Sequence, residues 1–318
     1  MMNILVTGAN GQLGQCLRDC VESIGHTDNS WFWTDVVDIP GREVQHLDIT
    51  DEEAVRKFFV DNSISVCVNC AAYTNVDKAE DDQEMAKKLN ADAPKILAEA
   101  CKIHGTKLVH ISTDYVFNGT AFIPLTEDRL TFPTSVYGKT KLEGEQNIIN
   151  SGCKYLIFRT AWLYSEYGNN FVKTMMKLIT EKKSFNVVND QIGTPTYARN
   201  LAQFIWTIVD TNNLLKDGIY HFTDEGVASW YDFAVEIKKF IMTSPSFGIF
   251  SILAEIDPIS TKEFYGEKKH ANRPYYSVLN KGKVKTDFGW SFSHWSNGVY
   301  SCVQSLLQND FLNKSIKK

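Results

Sequence analysis

Three side chains in one stretch have the chemistry to work on a carbonyl group. Thr113 closes an apolar run, Leu108 to Ile111, that ends in Ser112-Thr113-Asp114. A loop with Asn118-Gly119 and Pro133 follows, and then Tyr137-Gly-Lys-Thr-Lys141 leads into a polar, helix-favouring stretch. A tyrosine and a lysine four apart on a helix share one face, a turn from each other. A phenol with its ordinary pKa of about 10 is a poor acid at neutral pH. A nearby ammonium favours the phenolate and draws that value down. Tyr137 is therefore the expected proton donor to a substrate oxygen, Lys141 the group that lowers its pKa, and Thr113 a hydroxyl that bonds the same oxygen. The plain alternative for Thr113 is a satisfied hydroxyl at a strand end.

Spacing alone carries little weight. Tyr265 and Lys269 repeat it without a strand, hydroxyl or glycine context, and that second pair reads as chance. The first pair gains its weight from the elements around it.

Those elements alternate. Apolar runs at 3–8, 31–36, 64–70 and 107–111 read as buried strands. A helix to about Ile24, one starting with the capping-box pattern Thr50-Asp-Glu-Glu53, and one over roughly 85–104 separate them. Near-continuous apolar strands alternating with helices indicate an α/β fold, a doubly wound parallel sheet covered on both faces. The second half is less regular. Strands are expected at 154–159, 185–189 and 219–222, strand and loop at 249–258, and helices at 170–180, 198–210, 230–242 and about 295–307. It supplies a smaller α+β lobe and returns strands to the sheet.

Gly8-Ala-Asn-Gly11-Gln12-Leu13-Gly14 follows the first strand and opens the first helix. Glycines there permit a tight turn and let backbone N–H groups approach a pyrophosphate at the positive helix end. The spacing is not the commonest dinucleotide fingerprint. Asp35, ending the second strand about 20 residues on, raises the reading of a nicotinamide cofactor site and favours the ribose 2′-hydroxyl of NAD over a 2′-phosphate. Asp48 either reaches the adenine amino group or serves as a cap or turn residue. With such a cofactor, Lys141 would also hold the nicotinamide ribose while hydride arrives at the carbonyl carbon.

At 318 residues, 43% hydrophobic and 22% charged, the chain has the composition of an ordinary globular protein. A net charge of −5 with scattered Lys and Arg argues against nucleic acid as a partner. No apolar run is long enough for a membrane span. The short basic tail Lys314 to Lys318 reads as a frayed terminus. Cys67 and Cys70 stand three apart in a strand and so face opposite ways, and the seven cysteines read as unbridged, largely core thiols. Reduced thiols, and a first strand that starts at Asn3, make the cytoplasm the expected location.

NILVTGANGQLG, NCAAYTNVDKAE, VHISTDYVFNG, SVYGKTKLEGE, IFRTAWLY, GNNFVKTM, NDQIGTPT and Arg273-Pro274, in this order, resemble the extended short-chain dehydrogenase/reductase superfamily, and within it the dTDP-4-dehydrorhamnose reductase family. The resemblance implies a Rossmann domain over 1–160, with later elements returning to it, and a mainly nucleotide-sugar-binding lobe over 161–318. It implies reduction of the C4 ketone of dTDP-4-dehydro-6-deoxy-L-mannose by NADH or NADPH. Carried over, Gly11, Gln12 and Leu13 lie along the pyrophosphate, and Asp35, Asp48 and Ile49 face the adenosine half. Ala71, Ala72 and Tyr73 border the cofactor, with Thr74 beside the nicotinamide end. Thr113, Tyr137 and Lys141 form the catalytic set. Thr113, Asp114 and Trp162 touch the sugar, and Arg273 pairs with the diphosphate. Some members dimerise through magnesium bound with a Glu on the first helix. Cys16 stands near that place here and is a poor magnesium ligand, so no metal site is expected, and a monomer or a homodimer remains open. The alternatives are a non-catalytic subunit of the methionine adenosyltransferase regulatory type, which shares fold and motifs, and a related nucleotide-sugar epimerase.

Overall fold

A computed structural model describes residues 1–24, 28–211, 213–244 and 253–316, and the side chains of these except residue 24 and those from 309 on. The strands are, in chain order, β1 (Asn3–Thr7), β2 (Ser30–Asp35), β3 (Gln45–His46), β4 (Val66–Asn69), β5 (Lys107–Thr113), β6 (Lys154–Thr160) and β7 (Leu163–Tyr164). Then come β8 (Ser184–Val188), β9 (Ile192–Gly193), β10 (Thr196–Tyr197), β11 (Gly218–His221), β12 (Ala228–Ser229) and β13 (Glu255–Ile259). The helices are α1 (Gln12–Ile24), α2 (Glu52–Asn62), α3 (Val76–Ala79), α4 (Gln83–Lys87), α5 (Ala93–His104) and α6 (Val136–Ser151). The rest are α7 (Phe171–Glu181), α8 (Ala198–Asp210), α9 (Trp230–Met242), α10 (Thr261–Tyr265), α11 (Gly282–Phe288) and α12 (Trp295–Ile316).

Seven strands form one parallel sheet in the order β11-β6-β5-β4-β1-β2-β3. The chain winds outward in one direction from β1 and in the other from β4. The strand order reverses between these two, and the carboxyl ends beside such a switch point are where open α/β sheets take ligands.

Alternate residues of each central strand feed two cores. Val6, Val68 and Val109 join one with Leu17 of α1 and Leu201 and Ile205 of α8. Leu5, Cys67 and Leu108 join the other with Val55 and Phe59 of α2 and Leu97 and Cys101 of α5. Cys67 lies in the second core while Cys70 packs against the first, so the two thiols do face opposite ways. A third core is built wholly beyond residue 163, from Val172 and Ile179 of α7, Phe233 and Ile237 of α9, and Trp295, Val299 and Val303 of α12. Among the described residues, no helix is long and apolar enough to cross a membrane.

Three elements differ from the sequence reading. The helix expected over 85–104 starts at Gln83 and is interrupted by a π turn, Lys88–Asp92, between α4 and α5. Pro94 supplies the reason: it has no N–H for the Asn90 carbonyl and its ring would collide with that carbonyl, so the helix widens there. The cap of α2 is Asp51 rather than Thr50, with the carboxylate accepting from Ala54 N at 3.0 Å. The last helix continues past 307 to Ile316. Residues 249–252, read as strand and loop, and the side chains of the basic tail lie outside the described residues.

The freed Asn90 carbonyl faces α6. A Cβ on Gly144 would stand 2.1 Å from Asn90 O, and one on Gly138 would stand 2.3 Å from Tyr115 O. Helix α6 therefore sits directly on the backbone of its neighbours.

Candidate active site

Gly8 follows β1, Asp35 ends β2, residues 71–74 follow β4, Thr113 ends β5 and Trp162 follows β6. Because the strands are parallel, all of these lie along the same edge of the sheet. Gly8 has φ of 64°, and a Cβ there would meet Ala71 N at 2.6 Å, so the turn after β1 is packed against the segment after β4. The Asp35 carboxylate accepts from Asn10 N at 3.0 Å and from Val36 N and Val37 N at 2.8 and 3.2 Å, which ties the end of β2 to the turn. Gly11 is exposed at the mouth of α1, and Gly14 is buried against Gly8 O. The Gln12 side chain accepts from Ser165 Oγ at 3.2 Å and from Asn170 Nδ2 at 3.0 Å, linking the turn to the second half of the chain.

Two residues expected to face the cofactor put their side chains elsewhere. Leu13 and Ile49 are buried in the two sheet cores, so only their backbone atoms are left to meet a ligand. Asp48 accepts from Thr50 N at 2.8 Å and Thr50 Oγ1 at 2.7 Å, which is the turn role considered for it. Ala71 N donates to Asn69 Oδ1 at 3.1 Å, and Ala72 is half-buried beside it. Tyr73 exchanges backbone bonds with the Asn90 amide at 2.9 and 3.0 Å, and its phenol donates to Asp82 at 3.1 Å. Thr74 is exposed.

Helix α6 starts where the sequence requires. Ser135 caps it, accepting from Gly138 N at 3.1 Å, and Glu80 accepts from Val136 N at 2.9 Å. Two of the helix's free N–H groups are thereby met and Tyr137 is fixed in the first turn. Its ring meets Tyr115 edge-on with centroids 5.4 Å apart. The Thr113 hydroxyl lies close enough to the Tyr137 phenol to favour its ionised form, so the two groups expected to share one substrate oxygen stand side by side. Thr113 Oγ1 also donates to Asp114 Oδ1 at 3.0 Å.

Lys141 lies one turn along α6, and its Nζ donates to Ile111 O at 2.6 Å and stands 3.3 Å from His110 Nε2. The proton balance here differs from the one read from the spacing. Burial raises the Tyr137 phenol above its ordinary value; Asp114 and Tyr115 push the same way and the nearby Thr113 hydroxyl opposes them. The Lys141 ammonium, directed at the end of β5, does not offset this. Burial also lowers Lys141 to about 8, against the pull of Glu145. Burial raises Asp114 to about 6.

Trp162 is held with φ of 49°, a left-handed backbone that a bulky residue adopts only under constraint. Its ring stacks on Trp230, centroids 3.7 Å apart and planes within 10°. Trp230 Nε1 donates to Gln191 Oε1 at 3.1 Å, so NDQIGTPT reaches the site through this pair. Arg273 is brought to the site and is already engaged. It donates to the Tyr115 phenol at 3.0 Å and to Asp77 at 2.7 Å. Tyr115, Asp77, Trp230 and His110 were not singled out from the sequence. Two signals pointed to three of them: His110 and Tyr115 lie close to Thr113 in the sequence, before and after it, and Asp77 lies in the run after β4. The decoy pair dissolves, since α10 ends at Tyr265 while the Lys269 ammonium pairs with Asp81. Cys16 is buried on α1, and burial pushes its thiol far up.

A parallel sheet in this strand order, a glycine turn at its first strand and a tyrosine–lysine pair beside a strand-end threonine define the class of the NAD(P)-binding short-chain dehydrogenases/reductases. The family model described as the RmlD substrate binding domain matches residues 2–308. The dTDP-4-dehydrorhamnose reductase of Aggregatibacter actinomycetemcomitans is 35% identical over 302 residues, 94% of this chain and 97% of that protein. A crystal structure of a Clostridium acetobutylicum dTDP-4-dehydrorhamnose reductase superposes with a TM-score of 0.84 at 42% identity, covering 96% of this chain and 100% of that one. The Bacillus anthracis reductase, solved in complex with NADP, gives 0.82 at 34% identity, covering 95% and 98%. The chain belongs to the dTDP-4-dehydrorhamnose reductase family.

Proposed function

We propose that this protein reduces the C4 ketone of dTDP-4-dehydro-6-deoxy-L-mannose to dTDP-L-rhamnose, using NADH or NADPH. The observation that carries this reading is the proximity of the Tyr137 phenol to the Thr113 hydroxyl at the sheet edge where the glycine turn opens. Two hydroxyls side by side there can together receive one carbonyl oxygen, and Tyr137 would pass its proton to it. Residues 1–160 would hold the cofactor and residues 161–318 mainly the nucleotide sugar.

The turn fits a dinucleotide. A Cβ on Gly8 or Gly14 would strike backbone, so the chain is drawn in close where a pyrophosphate is to lie. Gly11, Gln12 and the backbone of Leu13 would line it, Asp35 would take the adenosine ribose, and residues 71–74 would border the nicotinamide half. A bound nicotinamide cofactor supplies the hydride. Lys141 would hold its ribose and contribute positive charge to the phenol. Thr113, Asp114 and Trp162 would contact the sugar, with Trp162 braced from behind by Trp230. Arg273 would meet the diphosphate by exchanging its bond to Asp77. One chain carries this whole set, so a monomer and a homodimer would serve equally, and its unbridged thiols suit the cytoplasm.

The test is consumption of NADH or NADPH by the purified protein with the keto sugar, repeated with Tyr137→Phe. Loss of the phenol should lower turnover by roughly two orders of magnitude or more. A Tyr137→Phe rate near that of the unaltered protein would refute the role given to Tyr137. Absence of any turnover, with stable capture of a large partner, would favour the non-catalytic subunit.

A further inference from the structure

His110 is wholly buried and has no part in the mechanism above. It sits on β5 between Asn69 and Lys141. Its Nδ1 is 3.0 Å from Asn69 Nδ2 and its Nε2 is 3.3 Å from Lys141 Nζ. Asn69 and Lys141 are buried as well, at 1% and 2% exposure, so water does not stand in for a missing partner.

The hydrogen-bond inventory then fixes the histidine tautomer. Asn69 Oδ1 accepts from Thr7 Oγ1 at 2.7 Å and from Ala71 N at 3.1 Å. A backbone N–H can only donate, so the amide cannot be turned around. Asn69 Nδ2 therefore donates to His110 Nδ1, and a neutral ring must carry its proton on Nε2. That N–H points at Lys141. An ammonium has only donors to offer, so His110 and a charged Lys141 face each other donor to donor. The short bond of Nζ goes instead to Ile111 O, at 2.6 Å. The neutral amine, in contrast, can accept from Nε2–H. A hydrogen bond made to the neutral form disfavours the charged one.

We propose that His110 is a positioning residue that sets the charge of Lys141, through an Nε2–H tautomer imposed by Asn69. The other groups facing Lys141 act in the opposite sense or are neutral. Glu145, one turn further on α6, favours the ammonium. It is itself held by Arg159 of β6 and Ser112 of β5. Ile111 O of β5 accepts from Nζ in either state, and Tyr137 lies one turn back on α6. This inference rests on the reductase reading only for its consequence: the lysine loses its charge as pH rises, and reduction falls with it.

The experiment reads Lys141 directly. The protein is labelled with 13C at lysine Cε, Lys141 is assigned by its absence in Lys141→Met, and its titration is followed by NMR. Burial, set against the pull of Glu145, already places Lys141 at about 8. Two variants then isolate the histidine. Asn69→Asp offers Nδ1 an acceptor, moves the proton to Nδ1 and leaves Nε2 as an acceptor for the ammonium. His110→Phe removes the opposing N–H at similar volume. Both should move the Lys141 titration up by about one unit or more, a tenfold or greater change in its proton affinity. The alkaline limb of kcat/KM should move with it. A Lys141 titration unchanged from the unaltered protein in whichever of the two variants folds would overturn the proposal. If no form of the protein reduces the keto sugar, the reductase reading fails, while the NMR titration still decides the role of His110.

Discussion

Glu145 and Arg159 meet as a two-pronged ion pair inside the protein, with Arg159 Nε and Nη2 donating to the two carboxylate oxygens at 2.9 and 2.7 Å. Their side chains are 1% and 3% exposed, and the guanidinium lies 5.2 Å from the Phe117 ring centroid. This pair joins α6, which carries Tyr137 and Lys141, to β6 in the sheet beneath. Removing one member strands the other charge out of water. Glu145→Gln should therefore lower stability by about 3–5 kcal/mol. Urea denaturation is the check, and a loss below about 1 kcal/mol would mean that Arg159 finds another counter-charge.

Asp114 gives a stability signature in pH. Burial raises its folded pKa to about 6, above an unfolded value of about 3.9. Between those values the folded state binds the extra proton, so this group's contribution favours folding at low pH and is lost as pH rises from about 4 to about 6. Asp114→Asn has no such loss. Its stability relative to the unaltered protein should improve between pH 4 and pH 7 by up to about 3 kcal/mol, at roughly 1.4 kcal/mol per pKa unit. Denaturant midpoints at the two pH values measure it, and a difference independent of pH would disprove an ionised, buried Asp114.

Asp35 bears on cofactor choice. Its carboxylate closes β2 beside the turn and is anchored by three backbone N–H groups. A 2′-phosphate placed there would meet negative charge, whereas a 2′-hydroxyl would find an acceptor. The protein should use NADH with higher kcat/KM than NADPH. Asp35→Asn should move the ratio at least tenfold toward NADPH, about 1.4 kcal/mol, as read from initial rates with each cofactor.

Trp230 backs Trp162 at 3.7 Å, and the strained backbone of Trp162 relies on that support. Trp230→Leu should leave the chemical groups untouched while loosening the wall expected against the sugar. The result should be a KM raised several-fold with kcat little changed, the pattern of lost uniform binding. A fall in kcat with KM unchanged would instead place Trp162 in the chemical step.

The parts legible in the sequence are those written in local pattern. Apolar runs gave the strands, the glycine run gave the turn after β1, and the strand-end Thr113 with Tyr137 led to a pair of hydroxyls that lie side by side. What escaped depends on distant partners. The π turn needs Pro94 to collide with Asn90, and is then accommodated by Gly144, far along the chain. Arg273 was visible as a cation, but its bond to Asp77 joins residues 196 apart. The spacing of Tyr137 and Lys141 was read correctly, yet the direction of Nζ is set by Ile111 and His110. Periodicity says which face a side chain occupies and is silent on what it meets there.

Gly138 and Gly144, where α6 rests on the carbonyls of Tyr115 and Asn90, have a consequence for how the site varies. Side chains differ in length and swing between rotamers, so a helix seated on them inherits that play. A helix seated on main chain does not. The placement of Tyr137 and Lys141 is thus insulated from substitutions in the surrounding packing and exposed to change at just these two contact points, where one added methyl group would lift the helix from its seat.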